Sequence, residues 1–283
     1  MLFEEKAAAQ VLAQEFAPNL VAQRQPMSES GFSTNERSLA FQNKIGARVL
    51  PEFLSLRDVP SMKQHQGSAV AGHYDIDDEG VPAQDINVVD KGYLKALLSS
   101  RVPTRRVRTT NGHQRGGGAM FSVLELTSDT KGKALSRADL RKKLLKLVKD
   151  RELEYGIIVR EITDQNILMT GLFPMLQGDM PMSSGSGSLP LVEVVKLYPD
   201  GREEAIRGVE AAGFAPSLFK DIVAVGKTQT THNLLARSVI PSFLTGGSQF
   251  MISTIITPDL LFEDVEVRPR EGDMPTPPRL ARP

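Results

Sequence analysis

Three stretches of this chain carry residue types that could do chemistry. The first is Gly72-His73-Tyr74-Asp75-Ile76-Asp77-Asp78-Glu79-Gly80-Val81-Pro82-Ala83-Gln84, the densest acidic run in the sequence. Carboxylates this close together can hold a divalent cation or work as a general acid–base pair. The same residues also make a good turn, because Asp side chains accept bonds from nearby backbone N–H groups. The turn accounts for them more simply, since a calcium loop would need a more distant Glu. The second stretch is Thr110-Asn111-Gly112-His113-Gln114-Arg115, preceded by Arg101, Arg105, Arg106 and Arg108 and followed by Gly116-Gly117-Gly118. Guanidinium groups in such a cluster can meet phosphate or carboxylate. Few aromatics accompany them, so a platform for stacking bases is poorly provided. The third is Gln14-Glu15, which taken alone reads as a helix surface.

Other constellations are weaker. The four histidines, His65, His73, His113 and His232, include no pair at helical metal-ligand spacing, although His73 and His113 lie in the first two stretches and could approach each other. Gly116 to Gly118 lacks the Gly-Lys-Ser/Thr ending of a phosphate loop, and Gly226-Lys227-Thr228 has that ending without the earlier glycine. There is no Gly-x-Ser-x-Gly nucleophile elbow.

The elements that must position these residues follow from patterning. Ala7, Val11, Leu12 and Phe16 lie near helical spacing and predict a helix over residues 4 to 17, ended or bent at Pro18. Residues 22 to 38 read as a polar loop, and residues 44 to 58, with the apolar run Ile45 to Leu56 broken by Pro51, as strand material ending at Asp58-Val59-Pro60. From 69 to 101 the pattern is a β-meander, with turns at Asp77 to Gly80 and Asp90 to Gly92. Ser136 is a predicted N-cap for a helix over 136 to 150 with an apolar stripe of Leu140, Leu144, Leu147 and Val148, and its lysines and arginines are read as a solvated face. Strand 155 to 162, a hairpin from Leu191 to Ile206, a short helix near 216 to 222 and strands near 222 to 226 and 249 to 257 follow. Residues 177 to 188 are read as a Gly- and Ser-rich loop, and 269 to 283 as a disordered Pro- and Arg-rich tail. The expected fold is α+β: mainly antiparallel sheet, possibly barrel-like, with two or three packed helices, in one domain over residues 1 to 268.

Composition bounds the function classes. At 283 residues and 40% hydrophobic, the chain can bury a sizeable core. Its 34 basic and 34 acidic side chains balance, which disfavours broad attraction to nucleic acid or an anionic membrane. With no Cys there is no thiolate metal site, disulfide or Cys nucleophile. No long apolar run spans a bilayer, and Glu4, Glu5 and Lys6 interrupt any secretory signal, so a cytoplasmic location is expected.

The ordered set Asp77-Asp78-Glu79-Gly80-Val81-Pro82, Gly92-Tyr93-Leu94-Lys95-Ala96-Leu97-Leu98 and Thr110-Asn111-Gly112-His113-Gln114-Arg115 resembles the TldD/PmbA family, also called modulator of DNA gyrase, over about residues 1 to 268. The resemblance implies zinc-dependent peptide hydrolysis, paired subunits of which one bears zinc, an extended peptide as substrate, and a further N-terminal domain before this one. Family peptidases present His-Glu-x-x-x-His on a helix and a late Cys. Here the matching segment reads Gln14-Glu15-Phe16-Ala17-Pro18-Asn19, with Glu15 alone retained, and the Cys position falls near Leu244. Amides are poor zinc ligands beside imidazole and thiolate, so the expectation is no zinc site of this chain's own. By the same resemblance Asn111, Gly112 and Arg115 are candidates for peptide-proximal residues, with Asp77, Asp78 and Glu79 beside them. The role implied is a peptide-binding or partner subunit. Two other readings stay open: an active metallopeptidase with ligands from another domain or partner, and a nucleic-acid module using Arg101 to Arg115.

Overall fold

The computed structural model describes residues 1–24, 40–129, 133–164, 188–238 and 250–270. The expected loops over 22 to 38 and 177 to 188, the segment around Leu244 and the tail from 271 onward lie wholly or largely outside them. Eight principal strands build one mixed sheet: β1 (Leu2–Phe3), β2 (Leu54–Asp58), β3 (Ile86–Asp90), β4 (Val123–Ser128), β5 (Gly156–Ile162), β6 (Leu189–Leu197), β7 (Ile222–Arg237) and β8 (Phe250–Phe262). Across the sheet the order runs Glu266–Pro269, Val209–Ala212, β6, β5, β1, β8, β4, β2, β3, Tyr93–Leu94, with β7 paired to β8. Most neighbours are antiparallel, but β1 runs parallel to β5 and β4 parallel to β8. The α+β class therefore holds with a mixed sheet, and among the described residues no closed barrel forms.

β7 and β8 are far longer than the apolar pattern predicts. Threonines, Gln229 and Asn233 interrupt that pattern, yet the ladder continues from Ile222 opposite Phe262 to Arg237 opposite Phe250. Backbone pairing does not need an apolar side chain at every position, and β-branched Thr fits a pleated surface. Elsewhere the pattern overreaches. Only Leu54–Asp58 of the 44 to 58 segment is a strand, and the predicted strand from Tyr93 breaks into Tyr93–Leu94 and Leu98–Ser99. The turn between β3 and Tyr93 has Lys91 and Gly92 both at positive φ, the geometry that suits a tight hairpin.

Among the described residues two α-helices cover the sheet. α1 (Glu5–Val11) is buried through Ala7, Ala8, Ala9 and Val11, and its small side chains let it lie close over the strands. It does not stop at Pro18. The Ala17 N–H bonds back to the Leu12 carbonyl, a wide π-helical turn over Leu12–Phe16, and a 3₁₀ turn over Ala17–Leu20 follows. Pro18 is accepted there because it falls in the first turn of that segment, where no helical donor is required. α2 (Arg137–Asp150) has the predicted cap, with Ser136 accepting from the Asp139 N–H at 3.2 Å. It buries Leu140, Leu144 and Val148, the first two packed with Leu2, Ile158 and Leu261. Below α1, Phe3, Phe214, Phe219 and Phe262 meet edge-on with ring centres 5.4–5.9 Å apart. Pro269 lies within the edge strand and the Arg270 N–H bonds to the Gly208 carbonyl, so the expected tail boundary at 269 falls inside ordered sheet.

Candidate functional site

The acidic turn and the Asn111 loop come together in the structure. Asp77 is buried, and its Oδ1 accepts from the N–H groups of Glu79 and Val81, both at 2.9 Å. Its Oδ2 accepts from the Gln114 N–H at 3.1 Å. Asp78 Oδ2 accepts from the Gly116 N–H at 2.6 Å, and Glu79 Oε2 from the Arg101 N–H at 2.7 Å. Each of the three carboxylates thus ties the turn to the chain between 101 and 116. They are not aimed at one point, and among the described residues no group of three His, Cys, Asp or Glu side chains could hold a metal ion.

Asn111 performs the same service on the other side. Its Oδ1 accepts from the Ser99 N–H at 2.7 Å and its Nδ2 donates to the Leu97 carbonyl at 2.9 Å. The Asn111 N–H donates to Ser99 Oγ, and the His113 N–H to the Ser99 carbonyl. Gly112 has φ +74°, and a Cβ there would stand 2.4 Å from the Pro82 carbonyl oxygen. Only glycine lets the loop lie this close to the acidic turn.

Arg115 is the least expected member. Its guanidinium is buried, donating to the Phe121 carbonyl at 2.8 Å, Ser253 Oγ at 3.0 Å and the Ile252 carbonyl at 2.6 Å. It also lies over the Tyr74 ring, 5.0 Å from its centre. Burial pulls the guanidinium's pKa down, opposed by the charges of Tyr74, Asp58 and Asp78. Tyr74 in turn donates to the Gly112 carbonyl at 2.7 Å, and burial followed by the Asp58 charge holds its phenol above the usual range.

Behind this layer sits a cluster that the sequence did not single out beyond His113. Asp58 and His113 are both fully buried, with Nε2 of the imidazole 3.8 Å from the Asp58 carboxylate. Asp58 also accepts from the Ser122 hydroxyl, from the Ser122 N–H at 2.8 Å and from the Val123 N–H at 3.1 Å. Burial works against its charge, but His113 and Ser122 outweigh that, and the carboxyl is held below the ordinary range. The other imidazole nitrogen lies 2.9 Å from Asn111 Oδ1. A sequence signal existed: Asp58 ends an alternating strand at an inward position, where a charge needs partners. His73, by contrast, is exposed with Nδ1 on the Val70 carbonyl at 2.8 Å, and among the described residues no metal cluster joins it to His113.

The helix carrying Gln14 and Glu15 leads into this framework. Val21–Ala22, just beyond it, pairs in parallel with Leu98–Ser99, and Gln23 Oε1 accepts from the Ala119 N–H at 3.0 Å. Gln14 lies in the π-helical turn and Asn19 in the 3₁₀ turn that follows it. Asn19 is nonetheless committed to the backbone: Nδ2 donates to the Glu15 carbonyl at 3.0 Å and Oδ1 accepts from the Ala40 N–H at 3.1 Å. Gln14 and Glu15 are half-buried. Two amides, one of them already bonded on both sides, do not fit a zinc ion, and the chain contains no Cys to add.

Comparison with known proteins decides the family. Residues 1–269 match the model of the PmbA/TldA metallopeptidase C-terminal domain. The chain belongs to the TldD/PmbA family. A zinc metalloprotease TldD homolog of Saccharolobus solfataricus is 33% identical over 75 residues, which are 26% of this chain and 15% of that protein. The crystal structure of a protein described as a modulator of a DNA gyrase, from Thermotoga maritima, matches with TM-score 0.60 at 18% identity, over 94% of this chain and 49% of that one. TldE of Thermococcus kodakarensis matches with TM-score 0.56 at 19% identity, again over 94% and 49%. At these identities the likeness concerns the fold. The chain spans about half the length of the solved structures it matches. Among the described residues, no helix of this TldD/PmbA domain is long and apolar enough to cross a membrane.

Proposed function

We propose that this domain is the non-catalytic kind of TldD/PmbA subunit, which binds an extended peptide or supports a zinc-bearing relative in the proteolysis of unfolded peptides. One observation carries the reading. Where family peptidases place the second histidine, Asn19 stands with both ends of its amide bonded to backbone. A residue so committed contributes to holding the helix end and the turn at Ala40, not to a metal. The likeness to TldE supports the idea of a partner, and the peptide is the substrate class the family name suggests.

Under this reading Asn111, Gly112 and Arg115, with Asp77, Asp78 and Glu79, act through the loop they build. Their side chains are engaged internally, so they would set the position of the backbone and of exposed neighbours against which a peptide lies. Extended peptides are held largely by main-chain hydrogen bonds, which such a framework can offer. The test is metal content of the purified protein after zinc loading and washing, together with capture of a zinc-bearing relative. Absence of bound zinc with recovery of the relative is expected. Stoichiometric zinc with peptide hydrolysis by this chain alone would overturn the reading in favour of an active metallopeptidase.

A further inference from the structure

The segment between Ser100 and Thr110 carries four arginines and no acidic residue. Its feet are fixed. Ser99 Oγ accepts from the Asn111 N–H and donates to the Thr109 carbonyl, Thr110 Oγ1 donates to the Ser99 carbonyl, and the Arg101 N–H is held by Glu79. Its tip is a closed turn in which the Thr104 N–H donates to the Val107 carbonyl at 2.8 Å and the Val107 N–H to Thr104 Oγ1 at 3.1 Å. Val107 packs against the main core, which turns Arg105, Arg106 and Arg108 outward. Arg101 is exposed as well. Among the described residues none of the four has a carboxylate within ion-pair distance, whereas Arg137, Arg141, Arg151 and Arg160 are all paired. The fold gains nothing from four like charges on one anchored loop. Self-repulsion opposes them, and their arrangement makes sense as half of an interaction.

We infer that the Arg101–Arg108 loop is a docking surface for an acidic segment of a partner protein. Guanidinium groups pair with carboxylates in a two-pronged way, and arginine is the charged residue enriched at protein interfaces. Val102, 42% exposed, and Pro103 place apolar surface between the charges, as an interface core requires. The anchored feet mean that little loop freedom is lost on binding. Nucleic acid is a poorer occupant. The loop has no aromatic side chain on which bases could stack, and it is neither a helix nor a ribbon that could enter a groove. The inference is independent of whether the domain binds zinc or peptide substrate.

The experiment is fluorescence anisotropy with the full chain and two labelled probes, a short peptide of Glu, Asp and Leu and a short DNA duplex, at matched low salt. The variant Arg105→Ala/Arg106→Ala/Arg108→Ala removes charge from exposed positions. Lys146→Ala/Lys149→Ala, on the outer face of α2, controls for general charge. The peptide should bind, with affinity about tenfold weaker in the triple-arginine variant and unchanged in the lysine variant. No peptide binding, equal loss in both variants, or no loss in either would overturn the proposal. So would tighter binding of the duplex with loss in the arginine variant, which would assign the loop to nucleic acid.

Discussion

Arg115 and Arg108 are seven residues apart, and the structure uses them in opposite ways. Arg115 is buried, with three hydrogen bonds and an aromatic ring beneath it, while Arg108 stands in solvent with no described ion-pair partner. The difference lies in what surrounds each one. Arg115 follows a glycine-tight loop to the start of β8, where it donates to the Ile252 carbonyl and joins Ser253 Oγ at the Phe121 carbonyl. Arg108 sits on a turn whose own Thr104–Val107 bonds already satisfy the backbone. The first arginine is therefore part of the fold, and the second is available to other molecules. The two classes should separate cleanly in stability measurements.

The largest effect is expected at Arg115. Arg115→Ala removes a donor from the Ile252 carbonyl and one of the two donors to the Phe121 carbonyl, which keeps Ser253 Oγ, and it uncovers the Tyr74 ring. Charge-assisted bonds of this kind contribute about 1.5–3 kcal/mol each, not additively, so a loss of about 4 kcal/mol is expected. The denaturant midpoint should fall accordingly, and Arg115→Lys should recover only part because one ammonium cannot reach both sides of the site. A midpoint within error of wild type would show that the guanidinium is not a structural tie.

Gly112→Ala comes next. It asks an L-residue to hold φ +74° with its Cβ 2.4 Å from a backbone oxygen. Backbone cannot yield as a side-chain tip can, so the cost should be about 3 kcal/mol. Because the Asn111 loop and the acidic turn would part together, protection of the Gln114 and Gly116 amides in hydrogen exchange should fall with it. Loss confined to global stability, with those amides unchanged, would mean that the contact does not bind the two motifs.

How much of this was legible beforehand depends on the kind of interaction. α2, its Ser136 cap, β5 and the hairpin after β6 follow from local pattern and appear where the pattern puts them. The motif residues Asp77, Asn111, Gly112 and Arg115 stand out in the sequence through the family resemblance. Their mode of use was not legible. An arginine in a basic run looks like its neighbours until the carbonyls of a strand more than a hundred residues later are brought to it. The length of β7 and β8 escaped for a related reason: pairing between the strands, and not apolar periodicity, sets where they end. The π-helical turn at Leu12–Phe16 depends on its surroundings too, since residues five apart carry no simple helical period.

Asp58 sharpens the comparison by adding pH. Its folded pKa lies below the ordinary carboxylate value. The stability it contributes is thus fully present above the unfolded pKa of about 3.9 and is lost as pH falls through the folded one. As pH falls below about 4, wild type should lose stability more steeply than Asp58→Asn, which should itself cost about 2 kcal/mol at neutral pH by replacing one acceptor oxygen with an NH₂ group among these donors. Parallel pH profiles would place the acid sensitivity elsewhere.

The smallest effect is expected where sequence alone would predict the most electrostatic interest. Arg105→Ala/Arg106→Ala/Arg108→Ala should change folding stability by no more than about 0.5 kcal/mol, because exposed side chains without partners in the fold contribute little to it. A slight gain is the more natural direction, since removing three of four like charges relieves repulsion within the loop. The gain should shrink as salt rises, because exposed charges are screened over about 10 Å at moderate ionic strength. A substantial loss, insensitive to salt, would mean that these arginines are ties of the same kind as Arg115, and the distinction between the two classes would collapse.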